Sequence, residues 1–438
     1  MEALLFLMRL ANYCISFPDP RDRAGVLLFS AKNAALVQVP APENGERISS
    51  LLTRKDQQTL KKLGFLVDDP ETEKKEMLGF ITGLNNLNRT LNLKVVMNLD
   101  CNLGCIYCFE GTRKGRFYMS EETAAALLQF VKRRCSEETF EEIHLVFYGG
   151  EPLLSRKLIS HIAEEIQSFA REKRIEFGFS LQTNGTLLTE ETVRKLKPLG
   201  LSTAYVTIDG PQENHNRFRP YKSGRASFGR IVRNVLDVCR HTEIRVNGNF
   251  TKDNYQAFPQ LLDSFSDIGF TPAEVPFVQF FPVLSEQADT VPDFHGGCSC
   301  INESWLVGAS LFLREEVLKR GYKNERIMPG FCMMEYQNNM LVNYNGDIYK
   351  CPSLISRKEF CVGNIKTGMS EYQSSHHLDN WKNEECLSCS YLPLCFGGCR
   401  AMKYVRDGNM DGVDCKKPYL DACLETLVKQ DIKYGLTG

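Results

Sequence analysis

Three cysteines near residue 100 have the spacing C-x3-C-x2-C, in the run Cys101-Asn-Leu-Gly-Cys105-Ile-Tyr-Cys108. Three thiolates hold three irons of a cubane iron-sulfur cluster and leave the fourth iron open to a chelating substrate or cosubstrate. A structural zinc site that lacks its fourth ligand is the alternative for such a group. The cysteines come directly after a predicted strand, and this position favours the cluster.

Polar and glycine-rich turns follow the later strand patterns in the same way. They are Tyr148-Gly-Gly-Glu151-Pro152, Gln182-Thr-Asn-Gly185, and Thr207-Ile-Asp209-Gly-Pro211 followed by His215-Asn-Arg-Phe-Arg219-Pro220. A bare Gly-Gly-Glu is most often an ordinary turn, but its place after a strand raises its weight. We expect His215 to be a buried histidine satisfied by a backbone carbonyl.

A second set of cysteines lies in the last quarter of the chain. Its members are Cys332, Cys351, Cys386, Cys389, Cys395, Cys399 and Cys415. Short turns separate them, and Gly346 stands five residues before Cys351. Paired cysteines at such spacing suit either iron-sulfur clusters or zinc, and they predict a domain held by metal rather than by a large core.

The first motif, with the aromatic Tyr107 before its last cysteine, resembles the radical S-adenosylmethionine superfamily, and the later turns resemble that family's motifs in the expected order. In that family the open iron binds S-adenosylmethionine, which one electron cleaves to a 5'-deoxyadenosyl radical. The resemblance implies cluster ligation by Cys101, Cys105 and Cys108. It implies cosubstrate contacts by Tyr107, Gly149, Gly150, Glu151, Thr183, Asn184, Thr207, Asp209 and Arg219. Among these, Glu151 and the two glycines would meet the amino group, Thr207 the ribose and Arg219 the carboxylate.

The C-terminal set resembles the SPASM module of the same enzymes, and all seven cysteines match its pattern. The resemblance implies two auxiliary four-iron clusters. One would be held by Cys386, Cys389, Cys395 and Cys415, and the other by Cys332, Cys351 and Cys399. The fourth ligand of the latter stays open, with Cys298, Cys300, Cys361, Cys423 or a substrate thiolate as alternatives. We assign Cys14, Cys135 and Cys239 to packing.

The rhythm of the chain predicts an α/β protein with a partial (β/α)6 barrel of the TIM type. Continuous apolar runs are typical of strands buried on both faces. They predict strands at Leu93–Asn98, Ile143–Tyr148, Phe177–Gln182, Ala204–Ile208, Ile244–Asn249 and Val275–Phe281. A helix should begin after Ser120. In such barrels the chemistry lies at the carboxyl ends of the strands, where these motifs fall.

The predicted domains are a small α+β module with a charged, solvated linker (1–88), the barrel (89–285), a bridging region (286–331) and a cysteine-rich iron-sulfur domain of the SPASM type (332–438). The apolar stretch Met1–Phe17 reads as a first helix or strand rather than a signal peptide, because Glu2 and Arg9 interrupt it. Met8 is an alternative start.

Composition limits the partners. The formal net charge of −1 gives no basic field for nucleic acid or anionic lipid. Clustered cysteines point to metal ligation in a reducing compartment, so we expect a cytoplasmic protein that does not span a membrane.

The resemblance extends to maturases of ribosomally made peptides, because residues 1–88 look like the leader-recognition region that many of them carry. The expected partners are a precursor peptide with its leader and a reductant such as flavodoxin or ferredoxin. The Cys298-Ser-Cys300 loop, with Asn12-Tyr13 and Leu27–Ser30, resembles maturases of the geopeptide type, which implies a thioether cross-link.

Two rival functions are kept. An anaerobic sulfatase maturase shares the barrel motifs and the module, but that family places an aspartate where Pro352 follows Cys351. A catalytically silent iron-sulfur or zinc scaffold that binds a peptide is the third hypothesis.

Overall fold

A computed structural model describes residues 8–19, 21–22, 25–42, 48–108, 110–284 and 297–436. The first seven residues of the predicted Met1–Phe17 element lie outside this description. No helix of the described chain is long and apolar enough to cross a membrane.

The centre of the fold is a run of six parallel strands, each followed by a helical crossover. They are β6 (Thr90–Asn98), β7 (Glu142–Gly149), β8 (Glu176–Thr183), β9 (Leu201–Thr207), β10 (Glu243–Phe250) and β11 (Phe277–Pro282), hydrogen-bonded in this order. The connecting helices are α4 (Glu121–Glu137), α5 (Arg156–Lys173), α6 (Glu190–Leu196), α7 (Gln212–Phe218), α8 (Phe228–Val238) and α9 (Phe258–Ile268). The predicted partial barrel is therefore confirmed.

Sequence signals explain these elements. Strand residues such as Leu93, Leu145 and Phe179 lie side by side and are fully buried in the main core, whereas the alternate residues of these strands are mostly half-buried. Helix α4 begins where predicted, because the Ser120 side chain accepts a hydrogen bond from the Thr123 amide and caps the first turn. These features hold the carboxyl ends of all six strands at one end of the barrel.

The N-terminal module contains a three-stranded antiparallel sheet and three helices. Its elements are β1 (Arg9–Leu10), β2 (Cys14–Pro18), β3 (Gly25–Ser30), β4 (Leu36–Pro40), α1 (Arg54–Lys62), β5 (Leu66–Val67), α2 (Pro70–Leu78) and α3 (Phe80–Leu87). Strand β3 lies between β2 and β4, and β1 pairs with β5.

The predicted solvated linker after Val67 is wrong. Helix α2 occupies it, because the Asp69 side chain accepts from the Glu71 and Thr72 amides and Pro70 stands in the first turn. Met77 and Ile81 are buried in a core shared with the C-terminal region. Glu71, Lys75 and Glu76 lie on the exposed side of this packed helix, whereas Glu73 is buried and accepts a hydrogen bond from the Asn12 amide at 2.7 Å.

The C-terminal region continues the barrel sheet. It follows α10 (Ser304–Leu318) and contains β12 (Asn339–Val342), β13 (Asp347–Tyr349), β14 (Gly363–Asn364), β15 (Gly368–Met369), α11 (Glu384–Leu387), α12 (Leu392–Cys395), α13 (Arg400–Asp407) and α14 (Lys417–Lys433). Strand β12 pairs in parallel with β6, and β13 to β15 extend the sheet as antiparallel strands.

The expectation that this region lacks a large core is wrong. Trp381 and Phe396 are fully buried and pack against Tyr13 and Phe29 of the N-terminal module. The Tyr13 hydroxyl also donates to the Leu387 carbonyl at 2.9 Å. Two regions far apart in the chain share one apolar core, which local sequence patterns do not show.

Candidate active site

A cavity of about 440 Å³ lies at the carboxyl ends of the barrel strands. Its wall includes most of the predicted site residues: Cys101, Cys105, Tyr107, Cys108, Gly149, Gly150, Thr183, Asn184, Thr207 and Arg219. The parallel strands bring these residues together from positions more than a hundred residues apart. Glu151 and Asp209 lie behind this wall, with side chains fully buried.

The three cysteines surround one end of the cavity together with Lys114, which sequence reasoning missed. Burial raises the pKa of Cys101 to about 12. Burial alone lowers the pKa of Lys114, but the thiolates of Cys108, Cys101 and Cys105 raise it overall. A buried cysteine forms a thiolate only when positive charge lies beside it, and iron ions together with Lys114 would supply that charge. The three cysteines therefore fit iron ligation.

The glycine pair brings the next turn against the cysteine loop. The Gly150 amide donates to the Asn98 carbonyl at 3.0 Å, and the Glu151 amide donates to the Asp100 carbonyl at 2.8 Å. A Cβ atom on Gly149 would lie 2.2 Å from the Asn98 oxygen, and one on Gly150 2.1 Å from the Asp100 oxygen. Only glycine permits this approach.

The Glu151 carboxylate positions the neighbouring turn. It accepts hydrogen bonds from the Leu153 amide at 3.0 Å, the Thr183 hydroxyl at 2.8 Å and the Asn184 amide at 2.8 Å. The Asn184 side chain then donates to the Cys101 thiol at 3.6 Å. Glu151 thus links β7 to β8, and Thr183, Asn184 and the two glycines form the wall that faces the cavity.

A second polar network joins Tyr107, Asp209, Arg219 and Asn249. The Tyr107 hydroxyl donates to Asp209, and Arg219 donates to the Tyr107 oxygen at 2.7 Å. The Asn249 amide donates to Asp209 at 2.7 Å. The Arg219 Nε has no hydrogen-bond partner within the described chain although the residue is buried. A buried donor at a cavity wall is suited to an anionic group such as a carboxylate.

His215 is fully buried, as expected, but its ring contacts a backbone amide and a hydroxyl instead of the predicted backbone carbonyl. Its Nδ1 accepts from the Asp209 amide at 3.1 Å, and its Nε2 lies 3.0 Å from the Ser227 hydroxyl. Burial lowers its pKa to about 3, so the ring is neutral. It supports the Asp209 turn without facing the cavity.

Three further polar groups face the cavity and were not predicted as site residues. Both Glu110 carboxylate oxygens and the Gln182 Oε1 are buried without a hydrogen-bond partner in the described part of the chain. Lys94 lies with its ammonium 5.1 Å from the centre of the Tyr148 ring, and burial lowers its pKa. Buried groups of this kind are normally satisfied, so they point to a ligand that completes them.

The seven C-terminal cysteines fall into two groups, as the SPASM pattern implies. The pKa values of Cys386 and Cys389 are raised first by burial and then by Cys395 and Cys415. Burial first, and then the charges of Cys332 and Cys399, raise the pKa of Cys351 to about 12. All are free thiols.

No three His, Cys, Asp or Glu side chains of the described residues are placed to hold a single metal ion. In a four-iron cluster each thiolate binds a different iron.

The four alternatives for the remaining ligand lie in different surroundings. Cys361 packs in the hydrophobic cluster that contains Cys351, but its thiol donates to the Gly363 carbonyl at 3.2 Å. Cys298 lines a small cavity with Ser353, the Cys300 thiol accepts from the Asn302 amide at 3.4 Å, and Cys423 is buried in α14. The fourth ligand stays a prediction.

The Cys351 group adjoins the main cavity. Pro352 and Ser353 form part of the cavity wall, as do residues 281–284 after β11. The wall therefore connects the first cysteine motif to the C-terminal region.

Comparisons with known proteins agree with this geometry. Residues 95–261 match the model of the radical SAM superfamily. The chain is 24% identical to a serine-type anaerobic sulfatase-maturating enzyme of Bacteroides thetaiotaomicron, over 75% of this chain and 90% of that enzyme.

Two solved structures share the fold. Native anSMEcpe with bound AdoMet and the Kp18Cys peptide has a TM-score of 0.63 at 20% identity, over 78% of this chain and 99% of that one. Streptococcus suis SuiB bound to the precursor peptide SuiA has a TM-score of 0.53 at 15% identity, over 93% of this chain and 99% of that one.

Proposed function

We propose that this chain, which contains a radical S-adenosylmethionine domain and is an enzyme of that superfamily, modifies a ribosomally made precursor peptide. The observation that carries the proposal is the cavity that joins three features. These are the thiols of the first motif, the buried donor of Arg219 and the wall formed by Pro352 and Ser353. S-adenosylmethionine and a substrate side chain would share this space.

The role of the chain's own residues is to bind and orient the cosubstrate and the substrate. When bound, the cluster at Cys101, Cys105 and Cys108 supplies the electron that cleaves S-adenosylmethionine to a radical, and auxiliary clusters supply an acceptor for the electron released later. Arg219 would hold the cosubstrate carboxylate through its free Nε. Glu110 and Gln182 are placed to accept hydrogen bonds from the substrate.

A peptide substrate is supported by the N-terminal module. Its outer strands β2 and β4 each pair with β3 alone among the described strands, so an added strand could pair with either edge of the sheet. A leader peptide could extend the sheet through backbone hydrogen bonds. The SuiB fold covers 93% of this chain, which must include much of residues 1–88.

Thioether formation is the finer part of the proposal. Such a cross-link removes two hydrogens, one from the donor thiol and one from the acceptor carbon, and therefore two electrons. One electron leaves with the hydrogen atom that the radical abstracts, and the other must pass to an acceptor near the cavity. Because Pro352 and Ser353 line the cavity directly after Cys351, the Cys332, Cys351 and Cys399 group is suitably placed.

Sulfatase maturation is the second candidate, and the Bacteroides thetaiotaomicron enzyme favours it. Against it, Pro352 follows Cys351 and has no side chain that accepts a proton. The anSMEcpe fold also leaves 22% of this chain unmatched.

The test is a reaction with the two kinds of substrate. The reconstituted enzyme would be incubated anaerobically with S-adenosylmethionine, dithionite and a cysteine-bearing precursor encoded beside it, and separately with a sulfatase-derived peptide. Loss of two hydrogens from the precursor, absent in the Cys101→Ala, Cys105→Ala, Cys108→Ala variant, supports the proposal. Formylglycine in the sulfatase peptide, with the precursor unchanged, supports the second candidate.

A further inference from the structure

One surface segment has an unusual charge. The whole chain is nearly balanced, with 53 basic and 54 acidic side chains, yet residues 214–236 contain six Lys or Arg and no Asp or Glu. Arg219 is buried in the cavity wall, and the other five are exposed: Arg217, Lys222, Arg225, Arg230 and Arg233. Such a run produces a local positive field.

This segment is hydrogen-bonded to the cysteine loop. The Gly104 amide donates to the Pro220 carbonyl at 2.8 Å, and the Ile106 amide donates to the Phe218 carbonyl at 3.0 Å. The Lys222 amide donates to the Asn102 carbonyl at 3.0 Å. The outer side of the loop that carries Cys101, Cys105 and Cys108 is therefore bordered by basic residues.

The loop also exposes an apolar side chain at this place. Ile106, between Cys105 and Tyr107, is 42% exposed. Cys105 and Tyr107 line the cavity on the inner side of the same loop. The loop thus separates the reaction cavity from a surface with an apolar centre and a basic border.

The basic side chains are available to a partner. No ion pair within the described residues involves Arg217 or Arg225, whose guanidinium groups lie 4.9 Å and 5.8 Å from the centres of the neighbouring Phe218 and Tyr221 rings. Lys222 pairs with Asp100 at 2.9 Å. Two of the three exposed cations of this surface, Arg217 and Arg225, therefore have no acidic partner among the described residues.

We propose that this basic face, formed by Arg217, Lys222 and Arg225 around Ile106, docks a small acidic electron-carrier protein that reduces the cluster of the first motif. The inference rests on the proposed function, because that cluster must receive an electron in every turnover. The reduced carrier loses one electron and the bound cluster gains one, with no atom transferred. Opposite charge accelerates such an encounter, and the face lies on the outer side of the ligating loop.

The experiment compares two donors. The rate of 5'-deoxyadenosine formation, without peptide, would be measured with dithionite and with a flavodoxin kept reduced by NADPH and its reductase. The variant is Arg217→Glu, Arg225→Glu. Its matched control is Lys55→Glu, Arg171→Glu, which makes the same charge change on exposed residues of α1 and of the last turn of α5.

With flavodoxin at low ionic strength, we expect the variant to be roughly tenfold slower than the control. High salt should shrink this difference because it screens surface charge. With dithionite the two should agree within about twofold, since a small reductant needs no docking surface.

Equal flavodoxin rates for variant and control would overturn the proposal. An equal loss with dithionite at full iron content would also overturn it, because the arginines would then act inside the site. If wild type forms no 5'-deoxyadenosine with dithionite, the proposed function fails instead. The basic face would then be tested separately, by calorimetric binding of oxidised flavodoxin to the variant and to the control. Weaker binding by the variant would support the docking proposal, and equal binding would overturn it.

Discussion

The Arg219 guanidinium donates to the Tyr107 hydroxyl at 2.7 Å and so joins α7 to the loop of three cysteines. The same hydroxyl donates to Asp209, whose pKa burial raises while the positive charge of Arg219 opposes that rise. Tyr107 therefore bridges the buried carboxyl group of Asp209 and the buried guanidinium group of Arg219. This bridge holds Arg219 in the cavity wall, where its buried Nε has no hydrogen-bond partner among the described residues.

Replacing Tyr107 with Phe should weaken cosubstrate binding. The change removes the acceptor of Arg219 and the donor to Asp209, at a cost of roughly 1–3 kcal/mol. We expect the dissociation constant for S-adenosylmethionine, measured calorimetrically on the reconstituted enzyme, to rise about tenfold.

The control is Tyr322→Phe, which removes one buried hydroxyl that donates to the Phe270 carbonyl far from the cavity. It should lower stability without changing S-adenosylmethionine affinity. If Tyr107→Phe and Tyr322→Phe bind S-adenosylmethionine with the same affinity, the Tyr107 bridge has no part in binding the cosubstrate.

Replacing Glu110 with Gln should separate substrate turnover from cosubstrate cleavage. Glu110 is 4% exposed, and neither of its carboxylate oxygens has a hydrogen-bond partner among the residues that the structure describes. If they accept hydrogen bonds from the precursor, the amide leaves one mismatched group and product formation falls about tenfold or more.

Cleavage of S-adenosylmethionine without peptide should stay within about twofold of wild type in the same variant. Glu121→Gln, on the exposed first turn of α4, is the matched control. Normal product formation by the Glu110 variant would contradict a substrate contact.

His215 should make the folded protein less stable as the pH falls, because its pKa is lower in the folded chain than in the unfolded chain. Its folded pKa is about 3 against 6.5 ordinarily, so its contribution is complete above 6.5 and is lost as pH falls toward 3. Between pH 7 and 5.5 the free energy of unfolding should fall by about 1 kcal/mol from this residue.

The measurement is urea unfolding of wild type and His215→Gln at the two pH values. The variant should be less stable at pH 7 but less sensitive to the change of pH. An identical pH dependence would mean that the ring is not buried in its neutral form.

Local sequence patterns were sufficient for the barrel. Continuous apolar runs predicted all six strands, because one side of each strand, which includes Leu145 and Phe179, is fully buried in the main core. The same patterns missed α2, since its helix signal is the Asp69 cap and Pro70 rather than an apolar stripe.

The candidate site was predictable where a motif fixes residue types. Gly149 and Gly150 are required because they lie so close to the backbone carbonyls of Asn98 and Asp100 that no side chain fits. Glu110, Lys94 and Lys114 were missed, because only the folded chain shows which charged residues face a cavity. The N-terminal and C-terminal regions share a core around Trp381, which is a long-range contact without a local signal.

The two groups of C-terminal cysteines predict separable iron. In the Cys101→Ala, Cys105→Ala, Cys108→Ala background, about eight irons per chain should remain if both auxiliary clusters form. Adding Cys386→Ala and Cys389→Ala should leave about four. Cys135→Ala and Cys239→Ala, added instead, should leave the number unchanged.

Iron and zinc would be measured together by mass spectrometry after anaerobic reconstitution. Stoichiometric zinc in place of iron would assign these cysteines to zinc sites. Loss of all auxiliary iron on changing one group would show that the two groups are not independent.

The most direct test of the account is dithionite-dependent formation of 5'-deoxyadenosine from S-adenosylmethionine by the anaerobically reconstituted enzyme. We predict formation by wild type and none by the Cys101→Ala, Cys105→Ala, Cys108→Ala variant. No formation by wild type loaded with its full complement of iron would contradict the radical mechanism and assign the chain a binding or electron-transfer role.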